Sequence, residues 1–180
     1  MLQRLRREIQ SKANPKKAKL LSGFFKTGKG EYGEGDIFLG LVVPVQREIA
    51  KNYTTLAMRD LQTLLNSKIH EERLIALLIL MQKYKSADKK ERNAIYNFYL
   101  KNTKRINNWD LVDLSCIRII GEHLLDKNRK LLYKLAKSSN LWERRIAIIS
   151  TCAFIRLHDF KDTIKISEIL MKDKHDLIHK

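Results

Sequence analysis

The segment NNWDLVD, which ends at Asp113, places a carboxylate beside a large aromatic ring. Asn107 or Asn108 can cap a helix that starts here, and Asp110 would interact favourably with the positive end of its dipole. Trp109 and Asp113 then project from the same helix face, four residues apart. A carboxylate and an indole face both stabilise positive charge. Because an unpaired buried carboxylate is costly, we expect Asp113 to line a groove or to pair with a cation.

The segment LWERRIAI supplies the candidate cation. Arg145 follows Trp142 by three residues, so the two form a second face with an aromatic ring and a charge, roughly one helical repeat after the first. We expect this face to adjoin the first across neighbouring helices, with Arg145 as the partner of Asp113. Each tryptophan taken singly is also consistent with an ordinary core aromatic.

The stretch GKGEYG at residues 28–33 formally matches the G-x-G-x-x-G pattern of dinucleotide-binding loops. Its context differs, because the helix-like segment KAKLLSGFFK precedes it where such a loop needs a buried strand. Three acidic residues at positions 31–36 would also repel phosphate. We therefore predict a flexible turn or a short hairpin that carries Lys26 and Lys29.

Neither the histidines nor the cysteines form a pattern typical of a metal or disulfide site. His175 and His179 are four residues apart, which places two imidazoles on one helix face, but no third ligand lies nearby in the sequence. We expect both to face solvent. Cys116 and Cys152 lie in apolar runs and are predicted to be buried free thiols of a reducing compartment. We therefore expect no metal and no cofactor.

The chain has 180 residues, of which 44% are hydrophobic, enough for one substantial core. It carries 36 Lys and Arg against 20 Asp and Glu, a net charge of +16 that indicates a polyanionic partner. A nucleic acid is the first candidate and an anionic membrane surface the second, while the charge could also serve solubility alone. The apolar run LIALLILM is far too short to span a bilayer, and the first residues do not resemble a signal peptide. We expect a cytoplasmic protein.

Past Pro44 the apolar residues recur at helical spacing, and short polar segments divide the chain into about seven helices, with one or two more before Pro44. The segments LLNSKIHEERLIALLIL and LAKSSNLWERRIAIIST share a Ser, a Glu-Arg and an Ile-Ala pair at a constant offset of 71 residues. Half of this offset approaches the period of a HEAT repeat. The pattern predicts an all-α protein, an α-solenoid of HEAT-like repeats with a long concave face. The alternative is an irregular helical bundle.

Together with the upstream segment GDIFLGLVVPVQR, the motifs NNWDLVD and LWERRIAI closely resemble the AlkD-like DNA alkylation repair enzymes, a DNA glycosylase family built from HEAT-like repeats. The match covers almost the whole chain. The resemblance implies that Asp113 is the catalytic carboxylate, that Trp109 is an aromatic wall of the site and that Arg145 contacts the DNA backbone near the lesion. We expect four further residues to contact DNA: Trp142, Arg144, Lys26 and Lys29.

The resemblance also implies a monofunctional glycosylase of base-excision repair that removes cationic alkylated purines, such as 3-methyladenine and 7-methylguanine, from duplex DNA. Ring alkylation weakens the glycosidic bond, so an ionised Asp113 needs only to stabilise the oxocarbenium-like sugar and orient the attacking water. The expected partner is double-stranded DNA with alkylated purines, bound by a monomer without a membrane, a metal or a small-molecule cofactor. The alternatives are a non-catalytic HEAT-repeat scaffold for distorted or branched DNA and a HEAT-type protein adaptor.

We predict that residues 1–180 form a single HEAT-like repeat domain with a Gly-rich loop at about residues 26–40. Members of the family that the motifs resemble continue into a K-A-x-G-W-x-L-R-E helix, which supplies another tryptophan to the site. The resemblance therefore implies that the sequence, which stops at Lys180, lacks the C-terminal repeats of its relatives.

Overall fold

The structure is a computed structural model that describes residues 1–180, and it is built from helices. It contains no strand, and Ile37 and Ile69 form an isolated parallel bridge. The predicted all-α class is confirmed. The chain forms two compact units, residues 1–86 and 87–180.

The first unit contains five helices: α1 (Leu2–Ser11), α2 (Pro15–Phe24), α3 (Val43–Lys51), α4 (Met58–Leu65) and α5 (His70–Ser86). Two helices precede Pro44, as predicted, and Pro44 itself lies in the first turn of α3, where a missing N–H costs nothing. The connection between α2 and α3 begins with turns and continues as an irregular segment with one isolated bridge, so the alternative of a short hairpin is not formed.

Helix α5 packs against α3 and α4, and every residue from position 70 to position 80 is buried. The buried charges at its start are all paired. The Glu71 carboxylate accepts backbone N–H bonds from Leu39, Gly40 and Leu41 at 2.8–3.2 Å. Arg6 of α1 forms two 3.0 Å hydrogen bonds to Glu72. These pairs hold α1 and the α2–α3 connection against α5.

The predicted repeat at an offset of 71 residues recurs as a local hydrogen-bond pattern. Ser67 Oγ accepts the N–H of the residue two positions later at 3.0 Å, and Ser138 Oγ does the same at 3.1 Å. Arg73 donates to the Ser67 carbonyl at 3.0 Å, and Arg144 donates to the Ser138 carbonyl at 3.1 Å. Equivalent residues therefore build the same turn before α5 and before the helix at residues 141–150.

The second unit contains α6 (Lys89–Lys101), α7 (Trp109–Cys116), α8 (Lys130–Ala136), α9 (Leu141–Ser150), α10 (Cys152–Ile155), α11 (Lys161–Leu170) and α12 (Asp176–His179). Short 3₁₀ turns lie at Thr103–Arg105 and Glu122–Leu124. The sequence predicts about seven helices after Pro44 and the structure has more, because α10 and α12 each add a single turn. Helix α9 is central, with α7, α8, α10, α11 and α12 all in contact with it.

A π-helical segment, Ile117–Gly121, follows α7 directly. A Cβ at Gly121 would lie 2.4 Å from the Ser150 carbonyl oxygen and 2.8 Å from the Ala153 Cβ. Glycine therefore allows this segment to approach the end of α9 closely, which sets the distance between α7 and α9. Among the helices, none is both long enough and apolar enough to span a lipid bilayer.

We predict that Gly40→Ala destabilises the first unit more than Gly30→Ala, although both glycines have positive φ, +89° and +78°. A Cβ at Gly40 would lie 2.2 Å from the Asn14 carbonyl oxygen, whereas one at Gly30 meets open space. We expect losses of about 3 kcal/mol at Gly40 and about 1 kcal/mol at Gly30. Urea unfolding followed by circular dichroism measures both, and equal losses would contradict the packing argument.

A second prediction concerns His123, which is buried with its ring stacked 4.1 Å from that of Tyr96. Burial, and next the adjacent Lys127 ammonium, lowers the pKa of His123 from 6.5 to about 4. The His123 imidazole therefore binds a proton more readily in the unfolded chain than in the folded one. As the pH falls from about 6.5 to 4, protonation of His123 in the unfolded chain lowers the free energy of unfolding. In His123→Phe, urea midpoints should fall less over this range than in the parent protein. Parallel pH profiles would contradict the assignment.

Candidate functional site

Asn108 caps α7 and thereby orients the first motif. Its side-chain oxygen accepts the Trp109 N–H at 2.8 Å, so of the two candidate caps the structure uses Asn108. Asp110 in the first turn is buried and accepts the N–H of Leu111 at 2.8 Å. Helix α7 therefore starts at Trp109, and Asp113 follows one turn later on the same face.

Asp113 and Arg145 form a bidentate ion pair between α7 and α9. Arg145 Nε lies 2.8 Å from Asp113 Oδ1, and Arg145 Nη2 lies 2.7 Å from Asp113 Oδ2. The Arg145 side chain is only 8% exposed, whereas that of Asp113 is 31% exposed. The structure thus brings together two residues that are 32 positions apart, as the sequence predicts, and leaves the Asp113 side chain partly exposed.

The third nitrogen of the Arg145 guanidinium, Nη1, donates to the backbone carbonyl of Leu177 at the start of α12. Sequence reasoning misses this contact, because a backbone carbonyl leaves no signal in the residue types. The guanidinium therefore links α7, α9 and α12. Its predicted contact to the DNA backbone stays a prediction, since in this state its nitrogens are bonded within the chain.

The two predicted site tryptophans differ in environment. Trp109 is half-buried at the start of α7, one helical turn before Asp113. Trp142 is only 7% exposed, and its backbone N–H donates to the Asn140 side-chain oxygen at 2.9 Å. Trp109 therefore offers surface to a ligand, while Trp142 packs as a core aromatic in this state.

Arg144 is bonded on the other side of α9. It donates to both oxygens of Asp173, at 2.5 and 3.2 Å, and to the carbonyls of Ser138 and Ser139 at 3.1 Å. Hydrogen bonding from Arg144 is the main cause that lowers the pKa of Asp173 below its usual value. Two adjacent arginines thus select two different aspartates, and the predicted DNA contact of Arg144 is untested.

A buried hydrogen-bonded pair of side chains links α7 to α6. The Tyr99 hydroxyl lies 2.9 Å from Ser115 Oγ, which donates to the Leu111 carbonyl at 2.5 Å. Burial raises the pKa of Tyr99 well above its ordinary value, so this residue is a neutral hydrogen-bonding group. The contact holds the helix that carries Asp113 against α6. Apart from the helical spacing of the apolar residues, the sequence gives no indication of this hydrogen bond between Tyr99 and Ser115.

Lys26 and Lys29 lie exposed in the Gly-rich turns of the first unit. In these turns the side chains of two glutamates fold back on the backbone: the Gly28 N–H donates to Glu31 and the Gly30 N–H donates to Glu34, both at 2.8 Å. The amides that would cradle a phosphate in a dinucleotide loop are therefore occupied by carboxylates.

Potential metal ligands are not clustered. No group of three or more His, Cys, Asp or Glu side chains is arranged to hold a metal ion. His179 Nε2 lies 2.7 Å from the carbonyl oxygen of Asp173, and His175 Nδ1 accepts the Leu177 N–H at 3.2 Å. The two histidines therefore serve the local structure of the last residues.

The sequence comparison decides the family. The sequence model described as "DNA alkylation repair enzyme" matches residues 5–180. The chain belongs to the DNA alkylation repair enzyme family. A solved structure described as a "Predicted DNA alkylation repair enzyme from Enterococcus faecalis" is similar in fold, with a TM-score of 0.63 at 16% identity, over 92% of this chain and 78% of the other. Among curated proteins, none matches the chain in sequence. Family membership supports a role in alkylation repair, with DNA as the partner.

In this family member we predict that Arg145→Leu destabilises the second unit by about 2 kcal/mol, because it strips Asp113 and the Leu177 carbonyl of their donor. The control Arg118→Leu breaks an exposed pair with Glu122 and should cost less than about 0.5 kcal/mol. Guanidinium unfolding measures both.

Adding Asp113→Asn to Arg145→Leu should recover part of the loss, since a neutral amide needs no cation. If the loss in free energy of unfolding of the double variant equals the sum of the losses of the two single variants, the ion pair does not account for the effect of Arg145→Leu.

Proposed function

We propose that this DNA alkylation repair enzyme is a monofunctional DNA glycosylase that removes cationic alkylated purines, such as 3-methyladenine and 7-methylguanine, from duplex DNA. The observation that carries the proposal is the Asp113 side chain, which is 31% exposed, is held by two hydrogen bonds from Arg145 and lies on the helix face that begins with Trp109. A carboxylate held in place on the same helix face as an aromatic residue is suited to stabilising a cation.

The chemistry follows from the charge of the substrate. When the bond between C1′ and the alkylated base nitrogen breaks, its electron pair goes to the base, which leaves neutral. Positive charge then develops on the sugar, where Asp113 stabilises it electrostatically and Trp109 presents its π-face. Water adds to C1′ and its proton passes to Asp113 or to solvent. No proton donor for the leaving base is needed, because the lesion already carries the positive charge.

Arg145 has a positioning role in this proposal. A carboxylate that rotates freely would have to be reoriented at the moment of reaction, whereas one held at both oxygens is preorganised. The planar guanidinium supplies two parallel N–H donors, which a lysine cannot. We propose that Arg145 also contacts the DNA backbone near the lesion when DNA is bound, and that Trp142, Arg144, Lys26 and Lys29 complete the DNA-binding set.

The repeat architecture and the net charge both suit a protein that binds duplex DNA. The hydrogen-bonded turn that recurs before α5 and α9 supports an architecture of HEAT-like repeats. A stack of such repeats offers an extended surface, and the net charge of +16 suits a duplex. We propose a cytoplasmic monomer that requires no metal or small-molecule cofactor.

We predict that Asp113→Asn lowers the single-turnover rate of base release about 100-fold or more, and that DNA affinity is unchanged or higher because a negative charge is removed. Duplex DNA treated with a methylating agent is the substrate, and released bases are separated by chromatography. The control is Asp126→Asn, which makes the same charge change at an exposed position of the same unit.

Equal base release by the parent protein and Asp113→Asn would exclude Asp113 as the catalytic group. Tight, salt-dependent DNA binding with no base release by either protein would instead support the non-catalytic scaffold.

A further inference from the structure

Helix α2 carries apolar side chains on its solvent face. Leu20 is 73% exposed and Phe24 is 64% exposed, and none of the ten residues of the helix is buried. The side chains at positions 16, 20 and 24 are four residues apart, so Lys16, Leu20 and Phe24 form one outward stripe. We call this stripe, together with Lys17 and Lys19, the α2 face.

The exposure of the α2 face does not result from a loosely attached helix. The Asn14 side chain caps the N–H of Lys17 at 3.0 Å, and the Asn14 N–H donates to the Leu39 carbonyl at 2.8 Å. Gly40 approaches the first turn so closely that a Cβ there would lie 2.7 Å from the Ala18 nitrogen. The start of α2 is therefore fixed, and its outward residues form a defined surface.

The charges on the α2 face have one sign. Lys16, Lys17 and Lys19 are all exposed and form no ion pair within the chain, and α2 contains no acidic residue. Two other basic groups of this unit, Arg6 and Arg73, are bound to carboxylates at 3.0 and 2.6 Å. The α2 face thus combines three unneutralised cations with two large apolar side chains, which suits a partner that is anionic and partly apolar.

Duplex DNA fits this chemistry better than a lipid surface. Minor-groove binders combine Lys or Arg at the phosphates with apolar wedges such as Phe and Leu at base steps. Amphipathic helices that bind membranes bury a broad apolar face. Helix α2 exposes two large apolar side chains, Leu20 and Phe24, which form a narrow stripe rather than a broad face.

We propose that the α2 face is a duplex-DNA contact surface, in which Lys16, Lys17 and Lys19 neutralise phosphates while Leu20 and Phe24 pack against the sugars and base edges of the minor groove. The inference rests on the proposed function only in taking DNA as the partner. It does not depend on base release or on Asp113.

The first test measures the salt dependence of duplex binding by the full chain. The triple variant Lys16→Gln, Lys17→Gln and Lys19→Gln should reduce the slope of log K against log salt by about 2 to 3, since each phosphate contact contributes about 0.9. The matched control carries Lys89→Gln, Lys90→Gln and Lys101→Gln, three exposed lysines of α6 with the same change in net charge. An equal reduction in both triple variants would overturn the proposal.

The second test separates the apolar contribution from the charges. Leu20→Ser with Phe24→Ser should weaken duplex binding about 10-fold or more and leave the salt slope unchanged, because no phosphate contact is lost. The matched control, Leu157→Ser with Ile164→Ser, alters two exposed apolar residues of the second unit, 64% and 57% exposed. Circular dichroism verifies folding, which exposed Ser substitutions should leave intact. Unchanged DNA affinity would overturn the apolar part of the proposal.

Vesicles of phosphatidylcholine and phosphatidylserine test the competing partner. If the α2 variants lose vesicle binding and keep full DNA affinity, the α2 face is a membrane surface and the proposal is overturned. Duplex binding that depends on the α2 face without any base release would support this inference and contradict the glycosylase. Base release together with DNA binding that the α2 variants do not change would support the glycosylase and contradict this inference.

Discussion

Charged side chains are buried or partly buried in the first two turns of α5 and α9, and a buried charge without a partner is costly. Each of these charges is therefore satisfied by a group from a different part of its own unit. In the first unit Glu71 and Glu72 bind the α2–α3 connection and α1. In the second unit Arg144 and Arg145 bind Asp173 and Asp113. Apolar packing holds the helices together, while these pairs determine which neighbours meet and in which register.

The same requirement shapes the candidate site. The buried guanidinium of Arg145 in α9 requires a carboxylate nearby, and Asp113 on α7 provides it. The pairing holds the carboxylate at both oxygens while leaving it partly exposed on the face that begins with Trp109. The Asp113 carboxylate thus stabilises its own unit and is at the same time preorganised for a cationic ligand. A substitution of Asp113 therefore affects both the stability of the unit and the proposed activity.

Several features of the site were predictable because they depend on local rules. The Asn cap, the start of α7 and the shared face of Trp109 and Asp113 follow from capping preference and helical spacing. The choice of Arg145 as the partner of Asp113 followed from the second motif and its distance along the chain. The carbonyl of Leu177 and the partner of Arg144 were not predictable, because both depend on how residues about 30 positions away return to α9.

The sequence by itself determined the helical class, the recurrence of one turn at an offset of 71 residues and the residue types available for chemistry, since helical periodicity and capping act over a few residues. Only the tertiary structure decided that Arg144 binds Asp173, which tryptophan keeps an exposed face, and that α2 presents Leu20 and Phe24 to solvent. These outcomes depend on the distances between packed helices, which no short segment of sequence specifies.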